Sequence, residues 1–118
     1  MQVYRAPLRD IRFTYEAIGY DEILEIDRFS MYDLETGMAM LEQTAAFGRE
    51  ERLPLNPIGD EQGLKWDPET GAVTLPDGFK AAYGKLVESG AIGSTGPEEY
   101  GGGNCPETLG LAMCEIST

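Results

Sequence analysis

The chain has 118 residues, 42% hydrophobic and 25% charged, with 9 Lys plus Arg against 21 Asp plus Glu and no histidine. That length bounds it at one domain, with enough chain to bury a core. A net charge of −12 repels phosphate backbones and anionic lipid, which disfavours nucleic-acid and membrane partners, and the missing histidine removes His-based triads and most zinc sites.

No apolar run approaches the ~20 residues of a membrane helix. At the N-terminus Arg5, Arg9 and Arg12 are mixed with Asp10 and Glu16, so it is neither a secretory signal nor an acid-poor mitochondrial address. Two cysteines, Cys105 and Cys114, give no disulfide framework and suit a reducing cytoplasm.

In chain order, Leu8, Ile11, Tyr15 and Ile18 fall on one face of a short helix, with Pro7 ahead of it and Gly19 at its end. A short apolar run, Ile23 to Ile26, follows. Ser30 or Asp33 then caps the longest helix, which runs to about Arg52 with the stripe Leu34, Met38, Leu41 and Ala45. Pro54 and Pro57 stop it, and 53–63 reads as a loop. Lys65-Trp66 and Ala72-Val73-Thr74 flank the turn 67–71 as a hairpin, which must lie on the helices because two short strands cannot stand alone. Pro76 opens a helix with the face Phe79, Ala82, Tyr83 and Leu86, ended by Gly90. Pro106 takes the first position of a last helix with the stripe Leu109, Ala112, Met113 and Ile116. The prediction is a mainly α fold, a helical array of about five helices with one small β-hairpin.

Chemistry-bearing patterns are few. Cys105 stands at a helix N-terminus, where a dipole lowers a thiol pKa, but a small buried apolar residue is the better reading. Glu98-Glu99 and Asp60-Glu61 read as solvated surface, and the loop around Asn56, Gly59 and Asp60 lacks calcium-loop spacing, so no metal is expected. Met31, Met38, Met40 and Met113 could line an apolar cavity, although methionines at helical spacing usually belong to the core. Gly101-Gly102-Gly103 ahead of a helix has the outline of an anion cradle. Glu98, Glu99 and Glu107 oppose a phosphate there, and neither phosphate-binding motif is complete. A turn or close-packing role is favoured.

Four segments, in order, resemble acyl-CoA dehydrogenases. Tyr4-Arg5-Ala6-Pro7-Leu8-Arg9-Asp10-Ile11-Arg12-Phe13 resembles the N-terminal extension of one subgroup, which includes long-chain and 3-methylmercaptopropionyl-CoA dehydrogenase-like proteins. The run 53–63, Leu-Pro-Leu-Asn-Pro-Ile-Gly-Asp-Glu-Gln-Gly, resembles the segment after that group's long helix. Leu75-Pro76-Asp77-Gly78-Phe79-Lys80-Ala81-Ala82-Tyr83 resembles its next helix start, and Pro97-Glu98-Glu99-Tyr100-Gly101-Gly102 resembles its acidic-Tyr-Gly-Gly loop. Asn104 stands where similar proteins usually have another glycine, and Ala91-Ile92 where they often have a tryptophan.

The resemblance implies a three-domain flavoprotein that removes a proton and a hydride from an acyl-CoA thioester, with FAD as acceptor and electron-transfer flavoprotein as reoxidant. The catalytic glutamate and most flavin contacts of such enzymes lie in domains other than the N-terminal one. It further implies that 1–118 is a single helical domain, with 1–30 the extension and 31–118 the N-terminal helical domain, cut in its last helix. Tyr100, Gly101 and Gly102 would be substrate-binding residues that shape the wall of the acyl/flavin cleft, with no catalytic residue present. The expected partners are acyl-CoA and further copies in a homo-oligomer. The 118-residue chain alone is expected to be inactive and to carry no FAD. A stand-alone acidic binding module is the alternative, and one half of a split enzyme a third reading.

Overall fold

The computed structural model describes residues 3–117, so Thr118, where the sequence reading places a cut helix, lies outside the described residues. The mainly α class is as the sequence predicts: five α-helices occur among the described residues, together with short 3-10 and π turns and one two-stranded hairpin.

Helix α1 (Leu8–Ala17) buries Tyr15 and half-buries Leu8 and Ile11. Its predicted last stripe residue, Ile18, falls one position past the helix and is exposed, because the chain turns at Gly19 with φ +72°. Two 3-10 turns over Tyr20–Glu25 and Asp27–Phe29 lead into α2 (Leu34–Phe47). The Asp33 carboxylate caps α2 by accepting from the Thr36 N–H at 2.7 Å, a bond that holds its pKa below the usual value. The backbone then widens into a π turn over Gly48–Arg52, which ends at the predicted boundary.

The next segment corrects the sequence reading. Residues 53–63, expected as a loop, contain helix α3 (Leu55–Gln62). Pro54 sits at its N-cap and Pro57 in its first turn, where the missing N–H is not required for a helical hydrogen bond. The prolines start this helix rather than preventing it.

Strands β1 (Lys65–Trp66) and β2 (Val73–Thr74) pair antiparallel, Lys65 with Thr74 and Trp66 with Val73. The Asp67 side chain organises their turn, accepting from the Glu69 N–H at 2.9 Å and the Thr70 hydroxyl at 2.7 Å. Contrary to expectation, the hairpin is not laid on the helices: all four strand residues are exposed. Its base is tied instead by polar contacts, with Gln62 donating to the Asp77 carboxylate at 3.0 Å and accepting from the Asp77 N–H at 2.9 Å.

Helix α4 (Phe79–Glu88) buries Ala82, with Phe79 and Leu86 half-buried. Tyr83, predicted on the same face, points to solvent. Helix α5 (Glu107–Ser117) follows Pro106 as predicted and buries Leu109, Gly110, Ala112, Met113 and Ile116.

The core lies where α5 crosses α2. Leu41 and Leu109 are 0% exposed, and a Cβ on Gly37 would meet Leu109 Cδ2 at 2.8 Å, so the two helices approach across a missing side chain. Around this seam Tyr15 and Tyr20 stack at 4.9 Å between ring centroids, and each buried phenol reaches a carbonyl: Tyr15 donates to Thr108 O at 2.7 Å, Tyr20 to Tyr32 O at 2.8 Å, and Tyr32 to Gly103 O.

Two outcomes follow from this packing. Leu109→Ala should lower unfolding free energy by about 3 kcal/mol, read from urea midpoints. Burial pushes Tyr15 up to about 12 and Cys105 up to about 11, and raises Tyr20 and Tyr32 too. The fold therefore favours their protonated forms, whereas the unfolded chain loses these protons from about pH 9 to 10. This stability should be intact below about pH 9 and decline toward pH 12. Circular dichroism at fixed urea reads it; an unchanged midpoint from pH 8 to 12 would contradict it.

Candidate functional site

The glycine segment is the natural place to seek a site, and its backbone accounts for the glycines. Residues 101–105 lie back against 93–98 through successive bonds: Gly101 N–H to Glu98 O at 2.9 Å, Gly102 N–H to Pro97 O at 3.0 Å, Gly103 N–H to Gly93 O at 3.2 Å, Asn104 N–H to Gly96 O at 2.9 Å, and Cys105 N–H to Ser94 O at 2.8 Å. A Cβ on Gly102 would collide with the Gly96 carbonyl, and one on Gly103 would meet Ser94 O at 2.8 Å. Gly101 supplies a left-handed turn at φ +82°.

Asn104, where similar proteins usually carry glycine, also adopts positive φ, +51°. Asparagine tolerates that region when its side chain bonds locally. Here it accepts from the Glu98 N–H at 3.2 Å and donates to the Glu98 carboxylate at 3.4 Å. Asparagine thus does at this position what glycine would do, and adds a tether across the loop.

This hydrogen bonding removes the anion cradle. Five consecutive N–H groups, 101 to 105, already donate to carbonyls, so none of them is available to a phosphate. Glu98 and Glu99 flank them with negative charge. Of the three predicted site residues, Tyr100 is 82% exposed, while Gly101 and Gly102 serve the turn and the backbone contact.

What the clamp does position is the segment in front of it. Ser94 and Thr95, held from behind by the glycines, line a groove of about 350 Å³ between α2, α5 and the 89–95 stretch. Met40, Thr44 and Phe47 form its α2 side. Gly110, Leu111, Met113 and Cys114 form its α5 side, and Leu86, Ala91 and Ile92 close the end. A Cβ on Gly110 would collide with the Thr95 methyl; this glycine keeps α5 and the loop together at the groove. Of the four methionines singled out from the sequence, Met40 and Met113 line the groove, Met38 packs on the core, and Met31 is exposed. Gly110, Thr95 and Phe47 were not legible as site residues, since only the crossing of α2 with α5 brings them together.

The lining decides what the groove can take. Glu107, at its edge, is the single charged residue among those that line it, and no lysine or arginine faces it. An apolar, uncharged chain fits a cavity of this size and character; a diphosphate does not. Cys105 is buried, with its thiol pKa raised by burial and by Glu107, which excludes an activated nucleophile and bears out the buried-core reading. Among the described residues no group of three or more His, Cys, Asp or Glu could hold a metal. The FAD of the resembled family finds no fit among these residues either, because they offer its pyrophosphate neither a basic side chain in the groove nor an available N–H in the glycine loop.

Comparison with known proteins finds two relatives that align with nearly the whole chain. The chain is 36% identical over 114 residues to 3-methylmercaptopropionyl-CoA dehydrogenase of Ruegeria pomeroyi, an alignment covering 96% of this chain and 19% of that protein. It is 30% identical over 122 aligned residues to the broad-specificity linear acyl-CoA dehydrogenase FadE5 of Mycobacterium tuberculosis, covering 98% of this chain and 19% of that one. No family model matches the chain. The chain is therefore related along nearly its whole length to acyl-CoA dehydrogenases, and it spans about a fifth of the length of these curated relatives.

The site geometry yields two checks. Gly102→Ala should cost about 2 kcal/mol by overpacking the loop, visible as a lower urea midpoint, whereas Tyr100→Ala should leave the midpoint nearly unchanged. In the folded chain a maleimide should label Cys114, which is exposed, rapidly, and Cys105, which is 1% exposed, only on unfolding. Rapid labelling of both thiols would place Cys105 outside the core.

Proposed function

We propose that this chain is the N-terminal helical part of an FAD-dependent acyl-CoA dehydrogenase, and that its groove receives the apolar acyl portion of the substrate. The observation that carries this reading is the alignment of nearly the whole chain with two acyl-CoA dehydrogenases. The groove supports it: its lining is largely apolar, with Gln43 and a few Ser and Thr hydroxyls among the side chains and Glu107 the single charge.

The division of labour follows from the residues. Met40, Phe47 and Met113 supply adaptable apolar contact. Gly101 and Gly102 shape the cleft wall indirectly, by letting the loop press Ser94 and Thr95 into place, and Tyr100 offers its exposed ring to whatever lies across the cleft. Removal of the α-proton and β-hydride, and retention of FAD, belong to the rest of the enzyme. Acyl-CoA as substrate, electron-transfer flavoprotein as oxidant, a homo-oligomeric state and a cytoplasmic location complete the proposal. None of the described helices is long and apolar enough to cross a membrane.

The test uses the polypeptide encoded by the complete reading frame, assayed with straight acyl-CoAs of graded length and an artificial electron acceptor. Flavin-dependent turnover is expected, with none from the 118-residue chain. Leu111→Trp, at an exposed position on the groove wall, should fill the groove, raising KM for the longer acyl-CoAs about tenfold by the loss of a few buried methylenes and sparing the shortest. A polypeptide without flavin or turnover would overturn the reading, as would flavin-dependent turnover by residues 1–118 alone.

A further inference from the structure

The hairpin carries a surface that none of the described residues covers. With Trp66 opposite Val73 and Lys65 opposite Thr74, the side-chain alternation of a strand puts Leu64, Trp66, Val73 and Leu75 on one face. These four apolar residues are 67%, 67%, 56% and 49% exposed. A contiguous apolar sheet face left in water marks an interaction site.

The whole molecule has the same character. Its surface area is 8462 Å², against roughly 6,300 Å² for a compact monomer of this mass. Its radius of gyration is 17.3 Å, against about 13.5 Å for a compact domain of this length. The surplus of roughly 2,100 Å² exceeds the ~800 Å² per partner of a standard interface, so more than a small contact is missing. A second copy of the hairpin offers only four apolar side chains, short of a stable dimer interface, and brings another chain of net charge −12. The alternative occupant is large, because the chain spans 19% of each relative's length.

We propose that the Leu64–Trp66–Val73–Leu75 face is a docking surface covered by the remainder of the longer dehydrogenase polypeptide. This rests on the functional reading above. The covering surface should be apolar at its centre, and basic where it meets Asp67, Glu69 and Asp77 around the hairpin.

The test places a photo-crosslinking phenylalanine analogue at Val73, an exposed position outside the groove, in the polypeptide encoded by the complete reading frame, and follows radical oxidation of Trp66. Adduct peptides from outside residues 1–118, with loss of Trp66 oxidation relative to the 118-residue chain, are expected. Adducts joining residue 73 to residues 1–118 of a second copy, or to a different protein, would overturn the proposal. So would a polypeptide that ends at Thr118, or Trp66 oxidised equally in both forms. Flavin content and acyl-CoA turnover, measured on the same sample, separate the two failures. An active flavoprotein with Trp66 exposed refutes the docking surface alone, and a covered Trp66 in a protein without flavin or turnover refutes the functional reading alone.

Discussion

The close approach of α2 and α5 at Gly37 is the constraint on which the remaining structure depends. Leu109 occupies the volume a Cβ would need there, which seats α5 beside Leu41 and Ala45. Once α5 is seated, its backbone becomes the anchor for distant segments. Tyr15 donates to Thr108 O at its start, Tyr4 to Ile116 O at 2.9 Å near its end, and Arg52 to Ser117 O. The groove is a by-product of the same crossing, since Met40 and Thr44 flank the seam from α2 and Gly110 and Cys114 from α5.

The charged groups of this architecture lie at its surface. Among the described residues no charged side chain is buried. The carboxylates with resolved shifts, Asp33, Glu35 and Asp67, are all held below their usual pKa values. The causes are a helix cap, the Arg12 guanidinium and a turn, respectively. A general base for proton abstraction from carbon needs the opposite environment, one that raises its pKa toward neutrality. The acidic surplus is thus a solvated exterior.

What was legible in the sequence follows the range of the interactions involved. The α2 stripe, its Asp33 cap, the Gly19 stop and the Pro106 start are set within one or two helical turns, and they could be read. The 53–63 segment was misread because proline was weighed as a breaker, although at an N-cap and in a first turn it is compatible with a helix. Tyr83 was placed on the buried side together with Ala82, but the buried face of α4 is narrower than the periodicity suggested and leaves Tyr83 63% exposed. The run of glycines marked the loop and the resemblance gave it a role, but neither could show that its N–H groups face 93–98 rather than a ligand. The groove itself was beyond sequence, being made by residues up to 77 positions apart in the chain, Met40 to Ser117.

The uneven distribution of burial gives the exposed hairpin a further consequence. From Leu55 to Glu88 the buried residues are Pro76 and Ala82 alone, so this wing is held mainly by local contacts. Gly59 lies against the Phe79 ring and Gly78 against Leu55, and the Gln62–Asp77 pair closes the hairpin base. A segment with few buried apolar contacts sits at the low end of local stability. Whatever covers Trp66 and Val73 would therefore order the wing as well as bind it, because a partner that binds only the ordered form stabilises that form by mass action. The α2–α5 seam has its own buried core and does not share this dependence. The groove is built mainly on the seam, with Leu86 drawn from the wing, and the docking face lies in the half that gains most from being covered.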